Sequence, residues 1–438
     1  MTTTVDHGRR HFLGAGLAGA AGLMLPVSRV QAAPQTVTVL TSYPEETLSR
    51  FEAAFEKAHP QLRLRTVWRM PREALPYLRA EGQNGVDVYW AASPRTFALL
   101  AQEQRLAPLG VSRDGLPDRI GNTALIDAQS RYAATEIAGF GFVVNPAALR
   151  ARGLTVPQDW SDLADARYEG ALLLPSPARV GFAPPMVEIV LQAWSWELGW
   201  ALWSEIAGNA APLERGSTFV TDEVSSGRRP IGLTIDFFTA SAIANGAPLA
   251  FHYPRHGGVN PAHVAITASA PNPDGARAFA RFVLSPAGQK ILAHPDIRKL
   301  PVRPDVYEGL PAGQYNPFAT AAQGGLNYDA ERAAPRIGLS VALFEQMLMV
   351  EHAELGALWR RIHAAEAAGK SALAARRLLS TPLLSEHDAA DEGLRRLFHE
   401  RVETQAGDDA RTVAEEGWRQ QARTRRQEVA RLLTEAGA

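Results

Sequence analysis

Val37-Thr38-Val39-Leu40-Thr41-Ser42-Tyr43-Pro44 is a β-branched run that stops on a polar turn. From Glu45 to Lys57, Leu48, Phe51 and Phe55 recur near helical spacing, so an amphipathic helix follows. Leu62 to Val67 alternates apolar and polar side chains, the pattern of a strand with one buried face. Asp87-Val88-Tyr89-Trp90 is a further short apolar run; it ends on Ala91-Ala92-Ser93-Pro94 and leads into a helical stretch from Thr96 to Glu103. Strand, helix, strand, helix predicts a parallel α/β sheet. In open sheets of this kind, ligands sit beyond the carboxyl ends of the strands. Ser42 and Ser93 fall at those ends.

Outward from this start, Phe140 to Pro146 reads as a crossing strand, and Ala171 to Leu174 as a strand ending on Pro175-Ser176-Pro177. Ile231 to Ile235 is a strand ending on Asp236, and Val264 to Thr267 is another. One helix is expected from Met186 to Ile206. Its Trp196, Trp200 and Trp203 fall on one face at i, i+4 and i+7, which points to core packing. Asp274 to Leu284 is a further helix. At about residue 335 strand signals stop and Ala, Arg, Glu and Leu dominate. Helices are predicted over Val341 to Ala368, with Gly369 as a stop, and over Ala372 to Leu379, Glu392 to Val402 and Thr412 to Leu433. His352, His363 and His399 on these helices are expected to face solvent.

The whole chain has 438 residues, no cysteine, 45 basic and 46 acidic side chains, and a formal charge of −1. That length calls for more than one folding unit. Near-neutral charge provides no field for gripping many phosphates of a nucleic acid. Without cysteine there are no disulfides, thiolate metal sites or cysteine nucleophiles. Residues 1–33 read as an address: Arg9-Arg10 precedes Phe12-Leu13, an apolar Gly/Ala-rich stretch runs from Leu13 to Val27, and Gln31-Ala32-Ala33-Pro34 offers small residues for cleavage. The stretch is shorter than the roughly 20 residues a bilayer helix needs. The adjacent arginines favour the twin-arginine route, so the expected location is the periplasm.

Enzyme motifs are missing. The sequence has no GxSxG elbow, no P-loop and no spaced dinucleotide fingerprint. His252 and His256 are four apart, but Pro254 breaks the helix that an HExxH site needs, and its glutamate is absent. No catalytic residue, metal ligand or cofactor is expected.

The segments taken in order are similar to a known family. Val37 to Tyr43 with the following helix, Asp87 to Ser93, and Phe140 to Pro146 carry the likeness. So do Trp196-Glu197-Leu198-Gly199-Trp200-Ala201-Leu202-Trp203 through Ala207-Gly208-Asn209, Phe282 to Gln289, and Leu300-Pro301-Val302-Arg303-Pro304-Asp305. Up to roughly Tyr307 the mature chain resembles type 2 periplasmic substrate-binding proteins of ABC importers. The matching branch is the iron(III)-binding-like one, with its sugar-phosphate and phosphoglycerate binders. The resemblance implies two α/β lobes closing around a cleft, with a C-terminal α-helical extension outside the basic family. Lobe 1 would span 34–140 plus 250–330, lobe 2 would span 141–249, and the extension 335–438. It implies a monomer that delivers its ligand to an inner-membrane ABC permease and ATPase. A second reading is a sensory accessory protein whose extension docks on a membrane sensor kinase. A third, an exported hydrolase, predicts turnover of the ligand.

Ferric binders of the family use adjacent tyrosines on lobe 2. The corresponding stretch here is Ile235-Asp236-Phe237-Phe238-Thr239, which offers no phenolate, so bare iron is the alternative and not the leading ligand. A small anionic, phosphorylated organic molecule fits better. Ser42, Ser93 and Ser176 each follow a strand and precede a helix, where hydroxyls and helix N-terminal amides converge on an anion. Arg179 is a candidate countercharge, and Ser217 and Thr218, beside Arg215 and Gly216, are further contacts. The resemblance adds Tyr43 from the first ligand loop, and Asp236 as an acceptor for ligand hydroxyls.

Overall fold

The computed structural model describes residues 34–213, 219–311, 314–399 and 405–437. The expected signal segment and the candidate contacts Ser217 and Thr218 lie outside the described residues.

Strands β1 (Gln35–Thr41), β2 (Leu62–Trp68) and β3 (Val88–Ala91) form a parallel trio in the order β2-β1-β3. Between β1 and β2 lies helix α1 (Glu45–Ala58), which buries Thr47, Phe51 and Phe55, one residue per turn. Phe51 and Phe55 meet Trp90 of β3 and the rings Phe279 and Phe282 of a later helix, closing one core. Helix α2 (Pro94–Gln102) follows β3.

The 13-residue strand β4 (Tyr132–Val144) is the spine. Strands β5 (Leu172–Pro175), β6 (Ala210–Leu213), β7 (Ile231–Ile235), β8 (Ala250–His252) and β9 (Val259–Thr267) complete the main ladders. The first half of β4 pairs antiparallel with β9, from Ala265↔Tyr132 to Val259↔Gly139. From Phe140 onward it pairs antiparallel with β7 instead, and β8 joins at Phe142 to Val144. β7, β5 and β6 then run parallel. The expected parallel sheet is therefore mixed, because β9 runs against both the first parallel group and β4, and β4 runs against the second group. The crossing strand also starts well before Phe140 and stops before Pro146, which begins a short helix.

The predicted helix Met186 to Ile206 is two helices, α3 (Ala183–Trp194) and α4 (Trp196–Asn209). They break at Ser195, whose φ of 72° is left-handed, and fold back so that Gly199 lies against Leu191. The apolar residues continue across the break, so periodicity alone misses it. Trp196, Trp200 and Trp203 are fully buried, as expected from their shared face.

Helix α5 (Asp236–Ala244) follows β7, and α6 (Pro273–Leu284) and α7 (Pro286–Leu292) follow β9, each of the latter pair capped by a side chain, Asn272 and Ser285 respectively. A two-residue strand β10 (Leu300–Pro301) then pairs with β4 at Ile137 and Glu136. The C-terminal region is helical: α8 (Ile337–Phe344), α9 (His352–Ala367), α10 (Leu373–Ser380), α11 (Glu392–His399) and the 31-residue α12 (Gln405–Glu435). A π turn, Glu345–Met349, interrupts the expected Val341 to Ala368 helix, and Glu351 adopts φ 55°.

This extension packs on the second lobe and shares its core. Trp359 of α9 is fully buried against Gly208 of α4, where an added Cβ would lie 2.3 Å from the indole. Glu188 of α3, fully buried, is paired with Arg336 at 2.9 Å and accepts from Ser340 Oγ at 2.7 Å. Trp196 Nε1 donates to the Leu384 carbonyl at 2.9 Å. Two of the three histidines expected in solvent belong to this seam; the side chain of His399 lies outside the described residues. His352 Nε2 lies 2.8 Å from the Ala207 carbonyl, with its pKa lowered chiefly by burial. His363 Nε2 lies 3.0 Å from Glu205 Oε1.

Removing residues 335–438 would strip α3 and α4 of their cover and leave Glu188 buried without its cation. The truncated chain is expected to be insoluble or to melt far below the full chain in calorimetry; a full-length melting temperature would show that the seam carries no stability. Trp359→Ala, which leaves a cavity, should cost roughly 3–5 kcal/mol in denaturant titration.

Candidate functional site

β1 and β3 run parallel, so Ser42-Tyr43 and Ser93 leave the sheet on the same edge. β5 and β7 are also parallel, so Ser176 and Asp236 share an edge of the second sheet. The two edges meet at Lys299. It stands just before β10, and β10's pairing with β4 sets it beside Glu136. The Lys299 ammonium pairs with Glu136 and lies 4.8 Å from the Tyr43 ring centroid and 5.2 Å from that of Phe237. Tyr43 comes from the first lobe and Phe237 from the second, so one cation touches both. Its side chain is 12% exposed and that of Glu136 only 2%.

The surroundings hold unused hydrogen-bonding capacity. Among the described residues the buried Tyr43 hydroxyl and Glu136 Oε2 make no well-formed hydrogen bond, although the phenol lies close enough to feel the Glu136 carboxylate. Burial first, and the Glu136 charge second, push the Tyr43 phenol well above its ordinary pKa, so it remains a neutral donor. Its ring leans on Trp90 at 4.4 Å.

Asp236 opens α5 at the point where β4 changes partner. Its Oδ2 accepts from the Gly139 N–H at 2.8 Å and from the Tyr253 hydroxyl at 2.9 Å. Gly139 must lack a side chain here, since a Cβ would lie 2.5 Å from the Tyr253 ring. Tyr253 in turn stacks on Tyr315 at 3.5 Å. Burial raises the Asp236 carboxyl to about 7, against the opposing pull of Gly139, Tyr253 and Lys299. Asp236 is thus a strut between the two crossings as well as a polar group near Lys299.

The other nominated residues are placed unevenly. Ser42 is half-buried at the end of β1. Ser93 is half-buried, and its Oγ lies 2.8 Å from Thr96 Oγ1. Ser176 is fully buried and donates to Glu345 Oε2 at 3.1 Å, so a side chain of the extension already engages it. Arg179 is exposed, and its backbone N–H donates to the Ser176 carbonyl at 3.1 Å. Lys299, Glu136 and Phe237 were not nominated. A lysine next to the Leu300-Pro301 segment was the available signal, but its meaning depends on a pairing remote in sequence. Arg69 and Arg95, both exposed, follow the carboxyl ends of β2 and β3; neither makes an ion pair among the described residues.

Among the described residues no three His, Asp or Glu side chains could hold a metal ion together, and no helix is long and apolar enough to cross a membrane. A cavity of about 930 Å³ lies between α1 and α7, lined by Arg50, Lys57, Lys290 and Ile291 among others, and does not include the Lys299 cluster.

Comparison with known proteins agrees with this architecture. A family model described as bacterial extracellular solute-binding protein matches residues 86–322. The phosphoglycerate transport regulatory protein of Salmonella typhimurium is 34% identical over 318 residues, 73% of this chain and 78% of that protein. Among solved structures, the periplasmic binding protein AfuA from Actinobacillus pleuropneumoniae, with fructose-6-phosphate bound, aligns over 68% of this chain and 96% of its own, at a TM-score of 0.52 and 18% identity. Iron-bound HitA from Pseudomonas aeruginosa aligns over 68% and 93%, at 0.53 and 17%. These two structural likenesses establish the two-lobed fold.

The raised carboxyl of Asp236 makes a signed prediction. A folded pKa of about 7 against about 3.9 in the unfolded chain means the folded state holds the proton more tightly. The contribution of Asp236 to stability is then full below pH 4, declines as pH rises, and is lost above 7. Asp236→Asn keeps the shape and cannot ionise. The melting temperature of Asp236→Asn minus that of the wild type should therefore rise between pH 4 and 8; a flat difference would place the carboxyl in ordinary surroundings.

Proposed function

The chain belongs to the family of bacterial extracellular solute-binding proteins, and from that premise we propose that it captures a small anionic, phosphorylated organic ligand between its lobes for ABC import. The carrying observation is the position of Lys299, in contact with a ring from each lobe. A ligand anion at this cation would engage both lobes at once, which is what hinge closure requires. Ser42, Ser93 and the neutral Tyr43 hydroxyl are the donors on lobe 1, with Arg69 and Arg95 adding positive potential. Asp236 accepts from ligand hydroxyls, and Ser176, Arg179, Ser217 and Thr218 complete lobe 2. Charge-assisted bonds contribute about 1.5–3 kcal/mol each, and micromolar affinity needs about 8 kcal/mol, so four or five such contacts suffice before ordering costs.

The name of the Salmonella relative and the fructose-6-phosphate in the AfuA structure support a phosphorylated ligand. Iron, bound in HitA, is the alternative cargo; Phe237 and Phe238 stand where ferric binders of this family carry phenolates. The protein binds without breaking bonds. It resides in the periplasm after twin-arginine export directed by residues 1–33, acts as a monomer, and delivers its ligand to an inner-membrane permease and ATPase. Lobe 1 spans 34–140 plus 250–330, lobe 2 spans 141–249, and 335–438 form the extension. A sensory role toward a membrane kinase is a second reading, favoured by the regulatory name of the same relative.

Two measurements test this. In a thermal-shift screen, phosphorylated metabolites should raise the melting temperature progressively with concentration; no response to phosphoglycerates, sugar phosphates or phosphonates would refute the reading. Lys299→Met should abolish that response and also destabilise the protein by roughly 3–5 kcal/mol, because Glu136 is left buried without its cation. Adding Glu136→Gln should restore most of the stability but not the binding. Restored binding in the double variant would remove Lys299 from the site.

A further inference from the structure

The extension reaches the edge of the second lobe through one side chain. Glu345 is the first residue of the π turn and is half-buried; its Oε2 accepts from Ser176 Oγ at 3.1 Å. Ser176 leaves β5 about one strand spacing, ~4.8 Å, from the end of its neighbour β7. That end carries Asp236 and Phe237, the second of which faces Lys299. A carboxylate from the extension therefore rests on a hydroxyl at the edge that meets the other lobe.

We propose that Glu345 is a specificity-determining residue which the extension contributes to the ligand site. It engages the Ser176 hydroxyl, and an anionic group of the ligand takes that hydroxyl by displacing it. The inference rests on the function proposed above and deepens it. A serine hydroxyl has one proton to donate, so Ser176 serves Glu345 or a ligand anion, not both. Two anions sharing that hydroxyl would also repel each other strongly in a partly buried setting.

The backbone around Glu345 gives the displacement a route onward. π turns concentrate at functional sites, and this one is clamped from the far side by α12. Arg419 Nε donates to Gln346 Oε1 at 3.0 Å. Arg426, 2% exposed, donates to the carbonyls of Met347 at 2.9 Å and Val350 at 3.1 Å. Arg423 and Arg426 both pair with Glu351, the residue in left-handed backbone. Arg419, Arg423 and Arg426 are spaced four and three apart, on one face of α12. Release of Glu345 thus acts on a turn held by Arg419 and Arg426, with Arg423 on Glu351 just beyond it, so cleft occupancy is felt in the extension.

The test compares wild type with Glu345→Gln, which keeps the shape and removes the charge. Dissociation constants for 3-phosphoglycerate and fructose 6-phosphate are measured by calorimetry, and amide hydrogen exchange of peptides covering 337–351 is followed with and without each probe. Glu345→Gln is expected to bind about tenfold more tightly, the scale of one lost charge-assisted competitor. Saturating ligand should speed exchange across 345–351 in the wild type and less so in the variant. Equal or weaker binding by a normally melting Glu345→Gln overturns the inference while leaving the proposed function intact. If that variant folds poorly, the wild type decides: unchanged exchange at 345–351 on saturation overturns it. Failure of the wild type to bind any phosphorylated probe overturns both.

Discussion

A β-strand has two hydrogen-bonding edges, and β4 uses both of its edges in both lobes. Over Tyr132–Gly139 it is bonded to β9, with β10 on the other side at Glu136 and Ile137. Over Phe140–Val144 it is bonded to β7, with β8 on the other side. The partner change at Gly139–Phe140 is the constraint on which the remaining structure depends. It makes the two lobes pieces of one ladder, and groups that bridge them gather there. Asp236 binds the Gly139 amide at the change of partner, and Glu136, three residues back, fixes the cation that touches both lobes.

Electrostatics at that point are balanced by burial. An ammonium and a carboxylate withdrawn from water cost several kcal/mol each unless they meet, and Lys299 and Glu136 do meet. Among the described residues the pairing leaves one Glu136 oxygen and the Tyr43 hydroxyl without a well-formed hydrogen bond, a costly state for buried polar atoms. Asp236, with its pKa pushed up to about 7, is only partly ionised at neutral pH. The cluster therefore combines one compensated cation, a neutral phenol and a partly ionised carboxyl, with two arginines at the strand ends beyond. For the anion proposed above, positive potential would come from the strand ends and orientation from the centre.

Much of this was legible in the sequence because it is local. The run Val37–Leu40, the Leu48/Phe51/Phe55 spacing and the strand Ile231–Ile235 each report their own conformation, and the structure has them. Tyr43 and Asp236 follow strands in segments that carry the family resemblance, and both lie at the Lys299 cluster. Lys299 was not nominated, since its importance arises from pairing a two-residue strand with a residue more than 160 positions away, Glu136. The break at Ser195 and the π turn at Glu345 were also invisible: apolar residues continue through both, and only the backbone direction changes. His352 and His363 looked solvated because each helix was considered alone, without the partner surface of α4.

The same blindness to partners hid what the extension is. A charged, helical C-terminal region reads as an appendage, yet its inner faces carry Trp359, Leu343, Phe344 and Leu348, all buried in the second lobe's core. Fusion to that lobe has a mechanical consequence. When the lobes move about β4, the extension must travel with the second lobe as one body, because Glu188–Arg336 and the Trp359–Gly208 contact cannot slide without exposing a charge or opening a cavity. Any partner that recognises α12 therefore sees a surface whose orientation to the first lobe is set by hinge closure. On the function proposed above, closure is in turn set by a ligand that bridges Tyr43 and Phe237 at Lys299. Position alone would make the extension a pointer for the state of the cleft, and the π turn at Glu345 is where that pointer is attached.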